Sequence, residues 1–300
     1  MSSSAHYVLP SEIERETGLG REQLRKWRQR FGFPPVESNA DGKPVYSRET
    51  IDSLLLIKRL LESGFRPGQV VGKAAHELSQ LQLDLGRSVP LISLEGSTQA
   101  FIERLKHVDV AGFKALLAEE RGRQTLLAFV RRTVAPLLVS VADAWARSEL
   151  DIHHEHLGTY CIERYLHAQI LALKPKQGFP CVMFALPPGE NHFLGLLMIE
   201  AVLAEQGART INIGSNIPLN NLALAAKECK VVVVVLSFSF AYPARDVVPT
   251  LLHLRRLLPA HIQIWAGGAG LAGIKRHPKG VRIFQDFDAS VAALNKLVVQ

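Results

Sequence analysis

The sequence predicts a multidomain chain, mainly α over its first 175 residues and α/β with a parallel sheet after that. Three observations predict it. Apolar residues recur at helical spacing across residues 101–173, with no strand-like run among them. From Cys181 onward, short runs of apolar and β-branched residues alternate with helical segments, the pattern of a parallel sheet with crossover helices. Residues 83–98 carry Gly86, Ser88, Pro90, Gly96 and Ser97 and read as a linker that sets an N-terminal domain apart. The expected units are therefore 1–82, the linker 83–98, 99–175 and 176–300.

Composition sets the outer bounds. At 300 residues, 47% hydrophobic and 21% charged, the chain is globular and long enough to bury a sizeable core. No apolar run reaches the roughly 18 residues that a membrane span needs, and Met1 to His6 lack the apolar core of a signal peptide. A cytoplasmic protein without a membrane partner is the expectation. Cys161, Cys181 and Cys229 are odd in number and far apart, so they indicate neither a disulfide framework nor a CxxC metal site. The net charge of +7 permits a nucleic-acid partner without requiring one, so its distribution decides.

The charge is concentrated early. Ser11 can cap a short helix ending at Thr17, with Glu14 completing a capping box. Gly18-Leu19-Gly20 is a turn, and Arg21 to Phe31 is a second helix whose Leu24, Trp27 and Phe31 fall on one inward face. Arg21, Arg25 and Arg28 share another face, with Lys26 and Arg30 beside them and Glu22 as the one acid of the stretch. Such a stripe is a solvated face in most helices. After a glycine turn it is also what a recognition helix carries into a major groove. Asn39 to Lys43 is a turn signal, followed by Val45, Tyr46 and a capping Ser47, which leaves room for a β-wing that lays Lys43 on phosphate. Helices Arg48 to Ser63, stopped by Gly64, and Pro67 to Leu81 follow.

This order resembles the MerR-family winged-helix domain, carried by Leu24-Arg25-Lys26-Trp27, Tyr46-Ser47 and Gly64-Phe65-Arg66-Pro67-Gly68-Gln69-Val70. The resemblance implies double-stranded operator DNA as partner, contacted by Arg21, Arg25, Lys26, Arg28, Arg30, Lys43 and Tyr46. One departure is the wing, Gly42-Lys43-Pro44-Val45-Tyr46, where the family commonly has an arginine before the tyrosine. Lys43 then has to supply the wing contact. No sustained heptad follows, so dimerisation is expected from further along the chain.

In the middle region, Phe101 to Leu117, Leu126 to Trp145 and Glu155 to Leu173 make about four helices of a small bundle, with Pro136 kinking the second run. Trp145 alone reads as core. The string Asp151 to His156 invites a zinc reading. On a helix, however, His153 and Glu155 lie opposite His154 and His156, so no three converge.

Strands at Cys181–Leu186, Arg209–Ile213, Val231–Leu236, Ile262–Trp265 and Val281–Phe284, separated by helices at 196–203, 219–229 and 244–258, describe a flavodoxin-like doubly wound sheet closed by a helix at 290–298. Val231 to Leu236 is uniformly apolar and belongs in the sheet centre. Pro188 to Gly195 follows the first strand. His192 stands there to ligate a metal, Glu190 to orient its imidazole, and Gly195 to let a large flat ligand approach. The same residues also read as a loop histidine capping the next helix. Ser237 and Gly267-Gly268 end two later strands. Gly268-x-Gly270-x-x-Gly273 follows a late strand rather than the first, so a dinucleotide site is not expected, although Asp286 or Asp288 could serve as its acid.

Glu190-x-His192-x-x-Gly195 resembles the cobalamin-binding motif of methionine synthase, the mutases and the CarH/LitR regulators, and Trp145-x9-Glu155-His156 resembles the lid of the CarH-type bundle. The resemblance implies an adenosylcobalamin cofactor whose cobalt takes His192 in place of the cofactor's own benzimidazole. It implies that Trp145, Glu155 and His156 cover the adenosyl group, that Ser237 hydrogen-bonds the nucleotide tail, and that Gly267-Gly268 make room for it. It further implies a light-responsive repressor rather than an enzyme, assembled as a dimer or tetramer on DNA in the dark. The chain departs from the light-sensing members at Ala146, where they carry the histidine that takes cobalt after illumination. A light-independent cobalamin sensor, an apo-active regulator and a binder of another pigment stand as the alternatives.

Overall fold

The computed structural model describes every residue except 1–7, 11, 40–41, 63–64, 79–80, 82–94, 147–148, 240, 272–273, 275–277 and 299–300. It divides into two compact units, Met1–Leu83 and Asp84–Gln300. Ser11 and Gly64, expected as cap and stop, lie outside the described residues.

In the first unit, α1 (Ile13–Thr17) ends at Gly18, whose φ of 67° is the left-handed geometry that glycine adopts without strain. The helix begins two residues after Ser11, with Glu12 as its N-cap. The second helix, α2 (Arg21–Phe31), buries Leu24 and Trp27. Strands β1 (Glu37–Ser38) and β2 (Pro44–Val45) pair antiparallel as the expected wing, and α3 (Arg48–Glu62) contributes Ile51, Leu54, Ile57 and Leu60 to the core. The single helix expected over Pro67–Leu81 is broken. After α4 (Pro67–Val70) the chain turns at Val71-Gly72, and residues 75–78 are helical again. The cause is packing that periodicity does not register. Gly72 has φ 84°, and a Cβ there would stand 3.3 Å from the Phe31 carbonyl oxygen.

The second unit opens with α5 (Glu95–Lys106), which starts inside the stretch read as linker. Next comes α6 (Val110–Gly122), capped by Asp109, whose side chain accepts the Gly112 amide at 2.8 Å. The third helix is composite: α7 (Leu126–Phe129), a π turn over Val130–Val134, and α8 (Ala135–Ala146). The expected kink at Pro136 takes this form. Proline has no N–H for the carbonyl four residues back, and a widened turn just before it absorbs the mismatch. The long α9 (Ile152–Ala172) completes the four-helix bundle.

The sheet has five parallel strands, β3 (Cys181–Ala185), β4 (Arg209–Asn212), β5 (Val233–Ser237), β6 (Gln263–Gly267) and β7 (Val281–Ile283), in the order β4-β3-β5-β6-β7. Every residue of β3 and β5 is buried, as strands covered on both faces require. The crossover helices are α10 (Phe193–Gln206), α11 (Leu219–Glu228) and α12 (Ala244–Leu257), and α13 (Phe287–Val298) closes the chain. Bundle and sheet do not form separate cores. Leu197, Met198, Ala201 and Val202 of α10 belong to the same apolar cluster as Phe101, Phe129, Trp145 and Leu166 of the bundle. Among the described residues, no helix is long and apolar enough to cross a membrane.

Candidate functional site

The strand order fixes where a ligand can sit. From β3 the chain crosses to β4 on one side, then returns to β5 on the other, so the loops after β3 and β5 diverge and leave a crevice at the carboxyl edge. Glu190, His192 and Ser239 meet there. Glu190 is 1% exposed. Its Oε1 accepts the Asn191 and His192 amides at 2.9 Å, the His192 Nδ1–H at 2.7 Å and the Ser239 hydroxyl at 3.0 Å, while Oε2 accepts the Ser239 amide at 2.7 Å. Burial alone pushes this carboxyl up, but the hydrogen bonds from His192 and Ser239 outweigh it and hold it below its usual range. An ionised Glu190 keeps the His192 proton on Nδ1, so Nε2 is the nitrogen with which the ring can meet a metal. The His192 side chain is 33% exposed.

The loop is braced from the β4 side as well. Asn216, at φ 58°, accepts the Gly189 amide at 3.1 Å and donates to the Asn191 side chain at 3.1 Å. Ser237, the last residue of β5, is buried, and a Cβ on Gly195 would stand 3.0 Å from its Oγ. Gly195 and Ser237 therefore face each other directly. Gly268 has a different reason for being glycine. It has φ 100°, and a Cβ would collide with the Phe238 carbonyl oxygen, so the backbone there already fills the space. At Gly267 a Cβ would make ordinary contact, 3.6 Å from the Phe284 carbonyl oxygen. Asp286 accepts the Ala289 amide at 2.6 Å, and Asp288 pairs with Arg131 at 2.7 Å, so both acids considered for a dinucleotide have structural work. Gly273 lies outside the described residues.

The donor set discriminates among metals. One imidazole, with both oxygens of its carboxylate neighbour already engaged, is too little to hold a bare ion, but it suits a metal whose other positions a macrocycle fills. Among the described residues, the only group of three His, Cys, Asp or Glu side chains with ligand atoms within 4.8 Å of one another is Asp151, His153 and His154. The expectation that no three would converge there is corrected: Asp151 precedes the helix, and the His153 and His154 rings lie 3.8 Å apart. Yet His154 Nδ1 accepts the Asp151 amide at 3.0 Å, which commits its ring to a capping box.

Of the expected lid residues, Trp145 is 3% exposed and packed in the bundle core. Glu155 and His156 sit in the first turns of α9, His156 Nδ1 being 3.2 Å from Glu155 Oε2, with Thr159 donating to Glu155 Oε1 at 2.8 Å. Sequence reasoning missed Ser239 and Asn216. A second serine two residues after Ser237, and an asparagine in the turn after β4, were the only signals.

On the first unit, Arg21, Arg25, Lys26, Arg28, Arg30 and Lys43 are all exposed. They are not equivalent. Arg25 forks onto Glu22 at 2.8 and 2.7 Å. Arg28 donates to the Pro34 carbonyl at 3.0 Å and to the Tyr46 hydroxyl at 2.6 Å, so the buried Tyr46 secures a cation on the helix.

With this geometry described, the class follows. Residues 10–76 match the profile described as MerR HTH family regulatory protein, so the first unit is a MerR-type helix-turn-helix domain followed by a helical bundle and a parallel α/β core. The chain is homologous to two curated repressors of Myxococcus xanthus. It is 28% identical over 227 residues to the HTH-type transcriptional repressor CarA, covering 75% of this chain and 74% of that protein. It is 26% identical over 260 residues to the HTH-type transcriptional repressor CarH, covering 84% and 85% respectively. Among solved structures it is similar to the monomethylamine corrinoid protein of Methanosarcina barkeri, with 14% identity and a TM-score of 0.47 over 67% of this chain and 96% of that one. A cobalamin-binding protein from Desulfitobacterium hafniense gives 14% identity and a TM-score of 0.32 over 69% and 99%.

Proposed function

We propose that this chain is a cobalamin-dependent transcriptional regulator, a cytoplasmic repressor that takes adenosylcobalamin and responds to light. The observation that carries the reading is the Glu190-held imidazole of His192 at the switch point of a parallel sheet, in a chain that carries a MerR-type domain. Homology to CarA and CarH supports the repressor assignment.

In this reading Nε2 of His192 would hold the cobalt, while Glu190 and Ser239 fix the ring and retain the Nδ1 proton. Trp145, Glu155 and His156 cover the upper face, and Ser237, Gly195, Gly267 and Gly268 border the nucleotide tail. The bound corrinoid supplies a cobalt–carbon bond that light can break. Closure of the bundle aligns the surfaces through which subunits assemble, as a dimer or tetramer. Several MerR-type domains then engage one operator, and tethering strengthens binding by roughly 10²–10⁴ without new contacts. Arg21, Arg25, Lys26, Arg28, Arg30 and Lys43 face the DNA, with Tyr46 behind Arg28.

The test is to mix purified apo-protein with adenosylcobalamin in darkness and to record absorption spectrum and native mass before and after green light. A bound spectrum and a larger assembly that collapse on illumination are the expected outcome. Binding without a light-dependent change of mass favours a second reading, a light-independent cobalamin sensor, which Ala146 supports because alanine has no lone pair for cobalt. No binding removes the cobalamin assignment.

A further inference from the structure

Three histidines stand shortly after Ala146, and the structure gives them different chemistry. His154 uses Nδ1 to accept the Asp151 amide at 3.0 Å, so its ring proton sits on Nε2 and it offers no lone pair without breaking the cap. The His153 ring lies against that of His154, 3.8 Å between centroids. His156 is different. Its Nδ1 lies 3.2 Å from Glu155 Oε2 and its side chain is 63% exposed. A carboxylate beside Nδ1 favours the proton on that nitrogen and leaves Nε2 with the lone pair, the tautomer that Glu190 imposes on His192 through a hydrogen bond of 2.7 Å.

Position on the helix points the same way. Residues 173–180 lead from the end of α9 to the start of β3 at the amino edge of the sheet, so residues earlier in α9 stand toward and beyond the carboxyl edge. His167 stacks on Phe193, the residue next to His192, at 6.0 Å and 27°. His156 precedes His167 by three helical turns, which places it on the same face of α9, about 16 Å further along the axis. His156 thus stands on the face of α9 that His167 turns to Phe193, further along the helix.

Resting on the cobalamin reading above, we infer that His156 is the group that takes cobalt's upper position once that position is exchangeable, in place of the histidine that Ala146 replaces. Nε2 of His156 donates its lone pair, a water or hydroxide leaves, and the Nδ1 proton stays on the ring. No electron is transferred.

The experiment uses the full-length protein and hydroxocobalamin in the dark, followed by absorption spectroscopy after desalting and by the rate of azide exchange. Wild type is expected to give a bis-imidazole spectrum that resists azide. His156→Ala is expected to stay red after desalting, to lose the bis-imidazole spectrum, to exchange azide readily and to recover the spectrum with free imidazole, which shows that its pocket remains folded. His153→Ala is expected to behave as wild type. Bound cobalamin without a bis-imidazole spectrum in wild type overturns the inference alone, as does a His156→Ala protein with an unchanged spectrum. Absence of any binding by wild type overturns the cobalamin reading and the inference with it.

Discussion

Glu205 closes the amino end of the helix that begins at Leu126, a residue 79 positions earlier in the chain. One carboxylate oxygen accepts the Leu126 amide and the other accepts the Leu127 amide at 2.9 Å, with Arg121 3.7 Å from the same group. These are donors that no intrahelical partner can satisfy. Removing an N-terminal cap costs about 0.5–2 kcal/mol. Glu205→Ala is therefore expected to lower unfolding free energy by that order in a urea titration, and an unchanged midpoint would assign the capping to Thr125 alone.

Val108 joins α5 to α6 with φ 54°, and its side chain is 52% exposed. A β-branched residue in the left-handed region loses about 1–2 kcal/mol to the clash of its Cβ with the following carbonyl. It has little packing to set against that. Val108→Asn, which tolerates this geometry, is expected to raise the thermal midpoint, and a lowered midpoint would show that the valine contributes contacts worth more than the strain.

Glu200 is 5% exposed. Burial pushes its carboxyl up from the ordinary value of 4.5, against opposing hydrogen bonds from Asn212 and Thr210 and the charge of His167. The neutral form is thus favoured in the fold. Its stabilising contribution is complete below pH 4.5 and is lost as pH rises from there through the elevated folded value. Glu200→Gln is expected to flatten that decline and to be more stable than wild type near neutrality. Parallel pH profiles for the two proteins would contradict this.

Cobalamin affinity should follow the groups that hold His192. His192→Ala is expected to abolish tight binding. Glu190→Gln removes the carboxylate that fixes the ring, and loss of such an orienting partner weakens metal binding roughly 10–100-fold. Ser239→Ala should cost less, because the Ser239 amide still donates to Glu190 Oε2 at 2.7 Å. Absorbance titrations of the three variants check the order, and equal affinities would remove the axial-ligand assignment.

For the DNA-binding unit, Lys43→Ala is expected to reduce the slope of log affinity against log salt by about one without changing stability. Arg28→Ala is expected to lower stability as well, because Arg28 ties Pro34 to Tyr46 at 3.0 and 2.6 Å. Equal thermal midpoints for both variants would count against this division.

What was legible in the sequence was what is local. Glu190 and His192 are two residues apart, so their hydrogen bond needed only a loop at a strand end. Ser239 completes the same network from 49 residues away, and its hydroxyl faces Glu190 only because β5 lies beside β3. No spacing rule announces that, and Ser237, two residues earlier, drew attention instead. Gly72 illustrates the opposite error. Helical periodicity passes through it, yet the approach of the Phe31 carbonyl demands a positive φ that ends the helix. The start of α5 at Glu95 was hidden by Gly96 and Ser97, whose composition speaks for a linker. The parallel sheet and the central place of the Val231 to Leu236 run came through because uniform apolar runs need cover on both faces.

The apolar face that α10 turns to the bundle has a further consequence. Leu197, Met198, Ala201 and Val202 serve the bundle, while Leu196 and Leu203 serve the sheet, so the helix has no polar side to offer water. Neither half can be excised as a self-sufficient module: a cut between residues 173 and 180 would leave each fragment with a bare greasy seam. A chimera that borrows another protein's sheet must bring that protein's bundle with it. The two are a single unit of inheritance.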